Sequence, residues 1–239
     1  MLERLDYIRI APRVILDAGS GPPRPGLGKR YPRARVIALD FALPMLRPRG
    51  FFAGLFHTPA QAVCADMERL PLADASVDFV WSSMALHWLG EPLAAFAEFR
   101  RVLAPDGLLM FSTLGPDSLK ELRAAAGAAR VHTFIDMHDL GDMLLAAGFS
   151  APVMDMELIT LAYAGSEKML SDLRASGQTS ARADRPRGLA GRRFAAALRR
   201  GLGEQPKATY EVVYGHAWKP AASKIDPQVK TVRVFKSIS

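Results

Sequence analysis

Apolar residues in the first half of the chain come in short dense runs, each followed by small, polar or turn-forming residues. The runs RVILDAG (13 to 19), RVIALD (35 to 40), AVCAD (62 to 66), VDFVWSS (77 to 83) and GLLMFSTL (107 to 114) have the length and the Val, Ile and Leu content of buried strands. Helix-length segments separate them, an alternation that predicts βαβ units and a parallel sheet. From Glu91 to Leu103 the helical spacing of Leu93, Phe96, Ala97, Arg100 and Leu103 predicts a crossover helix, and Pro105-Asp106-Gly107 predicts the turn that ends it. Two more helices are expected around 116 to 126 and 137 to 147, the second closed by Gly148. Two late β-rich stretches, 152 to 163 and 208 to 218, read as antiparallel and edge-like. The 44 residues between them, 164 to 207, are too many for a hairpin loop and are expected to carry helices of their own. The fold expected is α/β, a Rossmann-like seven-stranded, mostly parallel sheet with an antiparallel last strand and a helical insertion before it. One domain is expected to span 1–239.

Composition narrows the class. With 239 residues, 49% hydrophobic and 23% charged, the chain suits a globular domain and excludes a disordered or fibrous protein. No run of ~18 apolar residues occurs, and the opening Met-Leu-Glu-Arg-Leu-Asp has no signal-peptide character, so no membrane association and a cytoplasmic location are expected. Cys64 is the only cysteine, which excludes an intrachain disulfide and offers no metal cluster. The net charge of +7 is concentrated: residues 182 to 200 hold Arg182, Arg185, Arg187, Arg192, Arg193, Arg199 and Arg200 against one acid, Asp184. Such a run is a solvated face, a nucleic-acid contact or a docking surface for an acidic protein; only Phe194 interleaves it, too little aromatic content to favour nucleic acid.

The candidate chemistry gathers after the strands. Asp17-Ala18-Gly19-Ser20-Gly21 follows the first, and Asp40 ends the second, nineteen residues beyond Gly21. Glycine lets a ligand approach the backbone, and a carboxylate at the next strand's end can accept both hydroxyls of a ribose. The phosphate-binding G-x-G-x-x-G loop would need glycine where Arg24 stands, so a dinucleotide is disfavoured and a ligand with ribose and adenine but no phosphate is favoured. The alternative is a plain structural turn. Asp66 and Met67, after the third strand, suit an adenine amino group and ring face, or else a solvated turn. Ser82 and His87 bring polar groups to the same edge, His87 to orient a substrate or to sit as a hydrogen-bonded core histidine.

These residues, with SVDFVWSSMALHW (76 to 88) and RVLAPDGLLMFSTLGPDSLKELR (101 to 123), resemble class I S-adenosylmethionine-dependent methyltransferases. FSTLGPDSLKELR, FIDMHDLGDMLLAAGFSAPVMDME (134 to 157) and ATYEVVYGHAW (208 to 218) resemble more narrowly the malonyl-acyl-carrier-protein O-methyltransferases of biotin synthesis. The resemblance covers most of residues 5 to 218. It implies S-adenosylmethionine bound by Asp17, Gly19, Gly21, Asp40, Asp66, Met67 and Ser82, and methyl transfer to the free carboxylate of a malonyl thioester on acyl carrier protein. It departs from the family at Pro23, where a third glycine is usual, and in having only about a dozen residues before the first strand, which implies a truncated or variant member.

The implied acceptor is already an anion at neutral pH, so no general base is needed and no catalytic triad is expected. Arg123 is the family-like candidate to hold the distal carboxylate oxygen, because a guanidinium forks onto a carboxylate. His87 and Tyr7 are the other candidate catalytic groups, Tyr7 by closing over the site. Arg192, Arg193, Arg199 and Arg200 would dock the acidic carrier protein by electrostatic steering. The rival readings are an S-adenosylmethionine-dependent enzyme or assembly factor acting on a protein side chain, and a non-catalytic binding protein of the same fold.

Overall fold

The computed structural model describes residues 1–22, 26–47, 61–177 and 191–221. Strands β1 (Val14–Ala18), β2 (Arg35–Asp40), β3 (Gln61–Cys64), β4 (Val77–Ser83), β5 (Leu103–Leu114), β6 (Ser150–Ala162) and β7 (Lys207–Trp218) form one sheet in the order β3-β2-β1-β4-β5-β7-β6. β1 to β5 pair in parallel, and β7 is antiparallel to both of its neighbours. The expected seven-stranded, mostly parallel sheet is therefore present.

β7 does not lie at an edge. It is inserted between β5 and β6, and its side chains are mostly buried while those of β6, the true edge strand, are mostly exposed. Gly215 permits the insertion: a Cβ there would stand 2.3 Å from the Phe111 ring of β5. The turn expected at Pro105-Asp106-Gly107 is absorbed within β5, where the pairing slips between Val77↔Leu103 and Phe79↔Leu108 and Asp106 takes a φ of 60°. A bulge accommodates the breaker without ending the strand.

Six α-helices are described: α1 (Gly26–Arg30), α2 (Pro92–Val102), α3 (Lys120–Ala126), α4 (Met137–Ala146), α5 (Ser166–Ala175) and α6 (Arg192–Leu202). Alternate strand residues serve opposite faces of the sheet. Leu16, Val80, Leu109 and Phe111 point into the main core under α2 and α4, whereas Ile15, Phe79, Trp81, Leu108 and Met110 meet Leu5 and Leu27 on the other side. The buried face of α2 runs through Ala95, Phe96, Phe99 and Val102, and Leu93 is 40% exposed. Two large aromatic rings decide that face, one residue round the helix from the spacing expected. α3 starts at Lys120, later than expected, because Gly115 to Leu119 form a loop that ends with Leu119 in a left-handed conformation. The segment 164–207 does carry helices, α5 and α6; with α3 and the start of β7 they enclose a third core of Leu119, Val131, Met169, Leu173, Leu202 and Ala208.

Candidate functional site

In the order β3-β2-β1-β4-β5 the chain leaves β1 toward one side of the sheet and later fills the other, so the carboxyl ends of β1 and β4 flank a topological switch point, where open α/β sheets bind ligands. Gly19 lies there with φ +71°. A Cβ on it would fall 2.3 Å from the Ala85 Cβ and 3.2 Å from the Met67 Cε, so the loops after β1, β3 and β4 converge on a residue that must be glycine. Gly21, with φ +60°, has nothing within 4 Å of its notional Cβ and faces open space.

The amides of this loop turn away from the opening. Gly19 N and Ser20 N both donate to Leu39 O (2.8 and 3.0 Å), and Gly21 N donates to Asp40 Oδ2 (3.0 Å). A phosphate would find no free backbone amide among residues 19 to 21, which agrees with the missing phosphate-binding glycine. Asp40 Oδ1 accepts Ala42 N at 2.8 Å. Each carboxylate oxygen is thus oriented by one amide and keeps acceptor capacity for a ribose diol. Asp66 is held in the same way, its Oδ1 accepting Glu68 N at 2.9 Å. Asp17, half-buried, pairs in register with Ala38 and Trp81 directly below the glycine loop.

Three expected residues sit differently. Met67 is packed in the main core beneath Gly19 and presents little surface to a ring above it. Phe41, 77% exposed at the residue after Asp40, is the most open of the apolar side chains that follow β2, ahead of Leu43 and Met45. Its place immediately after the acid is the sequence feature that marks it. Ser82 is fully buried, its hydroxyl without a partner among the described residues, whereas Ser83 is exposed at the lip, because strand alternation turns neighbouring side chains to opposite sides. Tyr7 is 90% exposed and covers no part of this edge: Leu5 anchors the N-terminal 3-10 turn to the sheet, and Tyr7 lies off that face. Pro23 and Arg24, and with them the loop's departure from the family, fall outside the described residues.

On the β4 and β5 side a small cavity is lined by His87, Thr113, Leu114, Phe134, Ile135 and Leu140, among others. His87 sits in the turn after β4, its ring 5.1 Å from that of Trp88 and 6.2 Å from that of Phe134. Both of its ring nitrogens are buried without a partner among the described residues. Burial, and secondarily the neighbouring His132, push its pKa down to about 4, so it is a neutral imidazole at physiological pH. Across the 132–134 segment stands Arg123 of α3, whose Nη1 donates to Pro116 O (2.8 Å) and whose Nη2 donates to Ser118 O (3.2 Å) and His132 O (3.4 Å). Those bonds use three of its five donors and fix the guanidinium plane; Nε and the second Nη1 hydrogen have no protein partner among the described residues. His87 and Arg123 thus both neighbour the 132–134 segment, His87 through the Phe134 ring inside the cavity and Arg123 through the His132 carbonyl, while Tyr7 is 90% exposed.

A family model described as "Methyltransferase domain" matches residues 16–111, the strands that carry the glycine loop and both acids. The malonyl-[acyl-carrier protein] O-methyltransferase of Laribacter hongkongensis is 54% identical over 93% of this chain and 81% of its own length, and that of Methylovorus sp. is 50% identical over 93% and 80%. This chain belongs to the malonyl-[acyl-carrier protein] O-methyltransferase family. Among solved structures, the YcgJ protein of Bacillus subtilis superposes with a TM-score of 0.65 at 16% identity over 92% of this chain and 98% of that chain. The [4+2]-cyclase SpnF does so with a TM-score of 0.57 at 22% identity over 92% and 81%. A cyclase on this fold shows that the sheet alone does not choose the reaction.

Proposed function

We propose that this chain transfers the methyl group of S-adenosylmethionine to the free carboxylate of malonyl-acyl-carrier protein, forming the malonyl methyl ester used in biotin synthesis, and that residues 1–239 act as one catalytic domain. Membership of a family whose relatives share this name at 54% and 50% identity carries the reading. It also favours malonyl methylation over modification of a protein side chain and over a non-catalytic role. S-adenosylmethionine supplies an electrophilic methyl on a sulfonium.

Asp40 takes the ribose hydroxyls, Asp66 the adenine amino group, and the carbonyls of the 19–21 loop the amino-acid end; Asp17 supports that loop and Phe41 flanks the ring. The malonyl carboxylate is ionised at neutral pH and needs no base. Arg123 holds its distal oxygen through the two unused donors, leaving the other oxygen to react. His87, neutral, contributes one N–H to an uncharged acceptor such as the thioester carbonyl and does not compete for the carboxylate. Rate comes from alignment of the reacting atoms and from the dry setting around them.

Acyl carrier protein docks on α6. Arg192, Arg193, Arg199 and Arg200 are all exposed, while Phe194, Leu198 and Leu202 turn inward. Arg199 pairs with Glu167 at 2.6 Å, which makes Arg192, Arg193 and Arg200 the stronger contributors. Arg182, Arg185 and Arg187 lie outside the described residues. No described helix is long and apolar enough to cross a membrane. The single exposed thiol, Cys64, suits a reducing compartment, and we place the reaction in the cytoplasm. The test is methyl transfer from labelled S-adenosylmethionine to malonyl-carrier protein, read as the mass of the methyl ester. Absence of product with a carrier that a known family member methylates refutes the assignment.

A further inference from the structure

Glu211 of β7 is an acid with only 5% exposure, buried just beyond the last β5–β7 pair, Leu114↔Val212. Burying a carboxylate is unfavourable unless hydrogen bonds compensate it. Here one amide bonds the carboxylate itself, and three further bonds from the same loop reach the main chain of the same residue. Glu211 Oε2 accepts Asp117 N (2.8 Å), Glu211 O accepts Gly115 N (2.8 Å), and Ser118 Oγ bridges Glu211 N (3.1 Å) and Glu211 O (3.2 Å). One residue of β7 thereby fastens the whole loop from Gly115 to Ser118. Gly115 is small for the same reason: a Cβ there would lie 2.4 Å from Glu211 Cδ and Oε1. A second tie follows two residues away, where Leu119 N donates to Thr209 O (2.6 Å) and Glu121 accepts Thr209 N (3.1 Å).

The loop held in this way supplies the carbonyls of Pro116 and Ser118, two of the three that set the Arg123 guanidinium. We propose that Glu211 is a positioning residue for the acceptor side of the site, holding the 115–119 loop so that Arg123 points its free donors at the substrate carboxylate. The inference rests on the role given to Arg123 above. It explains why the GPDSLKELR and ATYEVVYGHAW stretches, about ninety residues apart in the chain, work as one unit: the second carries the acid that sets the loop of the first.

The test uses the full chain with Glu211→Ala, Glu211→Gln, Gly115→Ala, Arg123→Ala and the double variant Glu211→Ala/Arg123→Ala. Glu211→Ala should lower kcat/KM for malonyl-carrier protein at least tenfold while S-adenosylmethionine affinity by calorimetry stays within about twofold, because the cofactor edge lies on β1 to β4. Glutamine keeps an acceptor for Asp117 N–H and should restore activity to within a few-fold of the parent. Gly115→Ala, which displaces the carboxylate from the loop side, should reproduce the alanine defect if Glu211→Ala folds poorly. Exchange of the Asp117 amide should be slow in the parent and the glutamine variant and fast in Glu211→Ala. In the Arg123→Ala background Glu211→Ala should cause no further loss. A double variant worse than Arg123→Ala by the full Glu211→Ala factor overturns the proposal alone. Unchanged turnover in Arg123→Ala instead removes the role given to Arg123, and this proposal with it.

Discussion

Asp40→Asn separates a ligand-binding acid from a turn-capping one. In the parent both oxygens are engaged, Oδ2 by Gly21 N at 3.0 Å and Oδ1 by Ala42 N at 2.8 Å. Asparagine offers one oxygen, so whichever amide meets the new NH2 group loses its acceptor and faces a donor. A hydrogen bond to a charged group contributes ~1.5–3 kcal/mol, so loss of the charged acceptor for the ribose diol should weaken S-adenosylmethionine binding roughly 10- to 150-fold. Calorimetric titration reads the dissociation constant, and thermal unfolding reads the turn. Asp40→Ala is the companion: it removes the diol acceptor as well but leaves the two amides to water. If ribose recognition governs affinity, the alanine variant binds at least as poorly as the asparagine one. If the turn governs it, asparagine is the worse of the two. Affinity within twofold of the parent in both variants refutes Asp40 as a cofactor ligand.

Gly19→Ala should destabilise the fold by ~2 kcal/mol or more in chemical denaturation, since its Cβ meets Ala85 at a φ of +71°; a loss under 0.5 kcal/mol would show that the three loops give way easily. His87, with its pKa lowered from 6.5 to about 4, should leave no inflection near pH 6.5 in kcat/KM. Because the unfolded chain takes up that proton first, the stability tied to neutral His87 is complete above about pH 6.5 and is lost as pH falls toward 4. Melting of His87→Gln against pH should therefore be flatter than the parent's across that window, and parallel curves would contradict the burial argument. Reversing Arg192 and Arg193 to Glu should raise KM for malonyl-carrier protein at low salt and spare a small malonyl thioester; equal KM in mutant and parent would leave α6 a solvated face.

Much of the architecture was legible because strands buried on both faces must be short apolar runs, and that pattern needs no knowledge of neighbours. β1, β2, β4, the helix nature of residues 92 to 102, and the placing of Gly19, Gly21 and Asp40 just at or after strand ends are all local consequences of composition and spacing. The five-residue α1, lying in a stretch rich in glycine and proline, gave no periodic signal. What depends on a second segment was decided only in three dimensions. β7 became an inner strand because Gly215 admits Phe111, and α2 turned to bury Phe96 and Phe99. The glycine loop's amides closed on Leu39 and Asp40, and Tyr7 stayed outside because Leu5 took the inner face. Arg123 could be named from its motif, yet its orientation depends on carbonyls at 116, 118 and 132 and on a carboxylate at 211. A side chain's type is set by its own codon, but the direction in which it can donate is set by partners dozens of residues away, and only the folded chain brings those together.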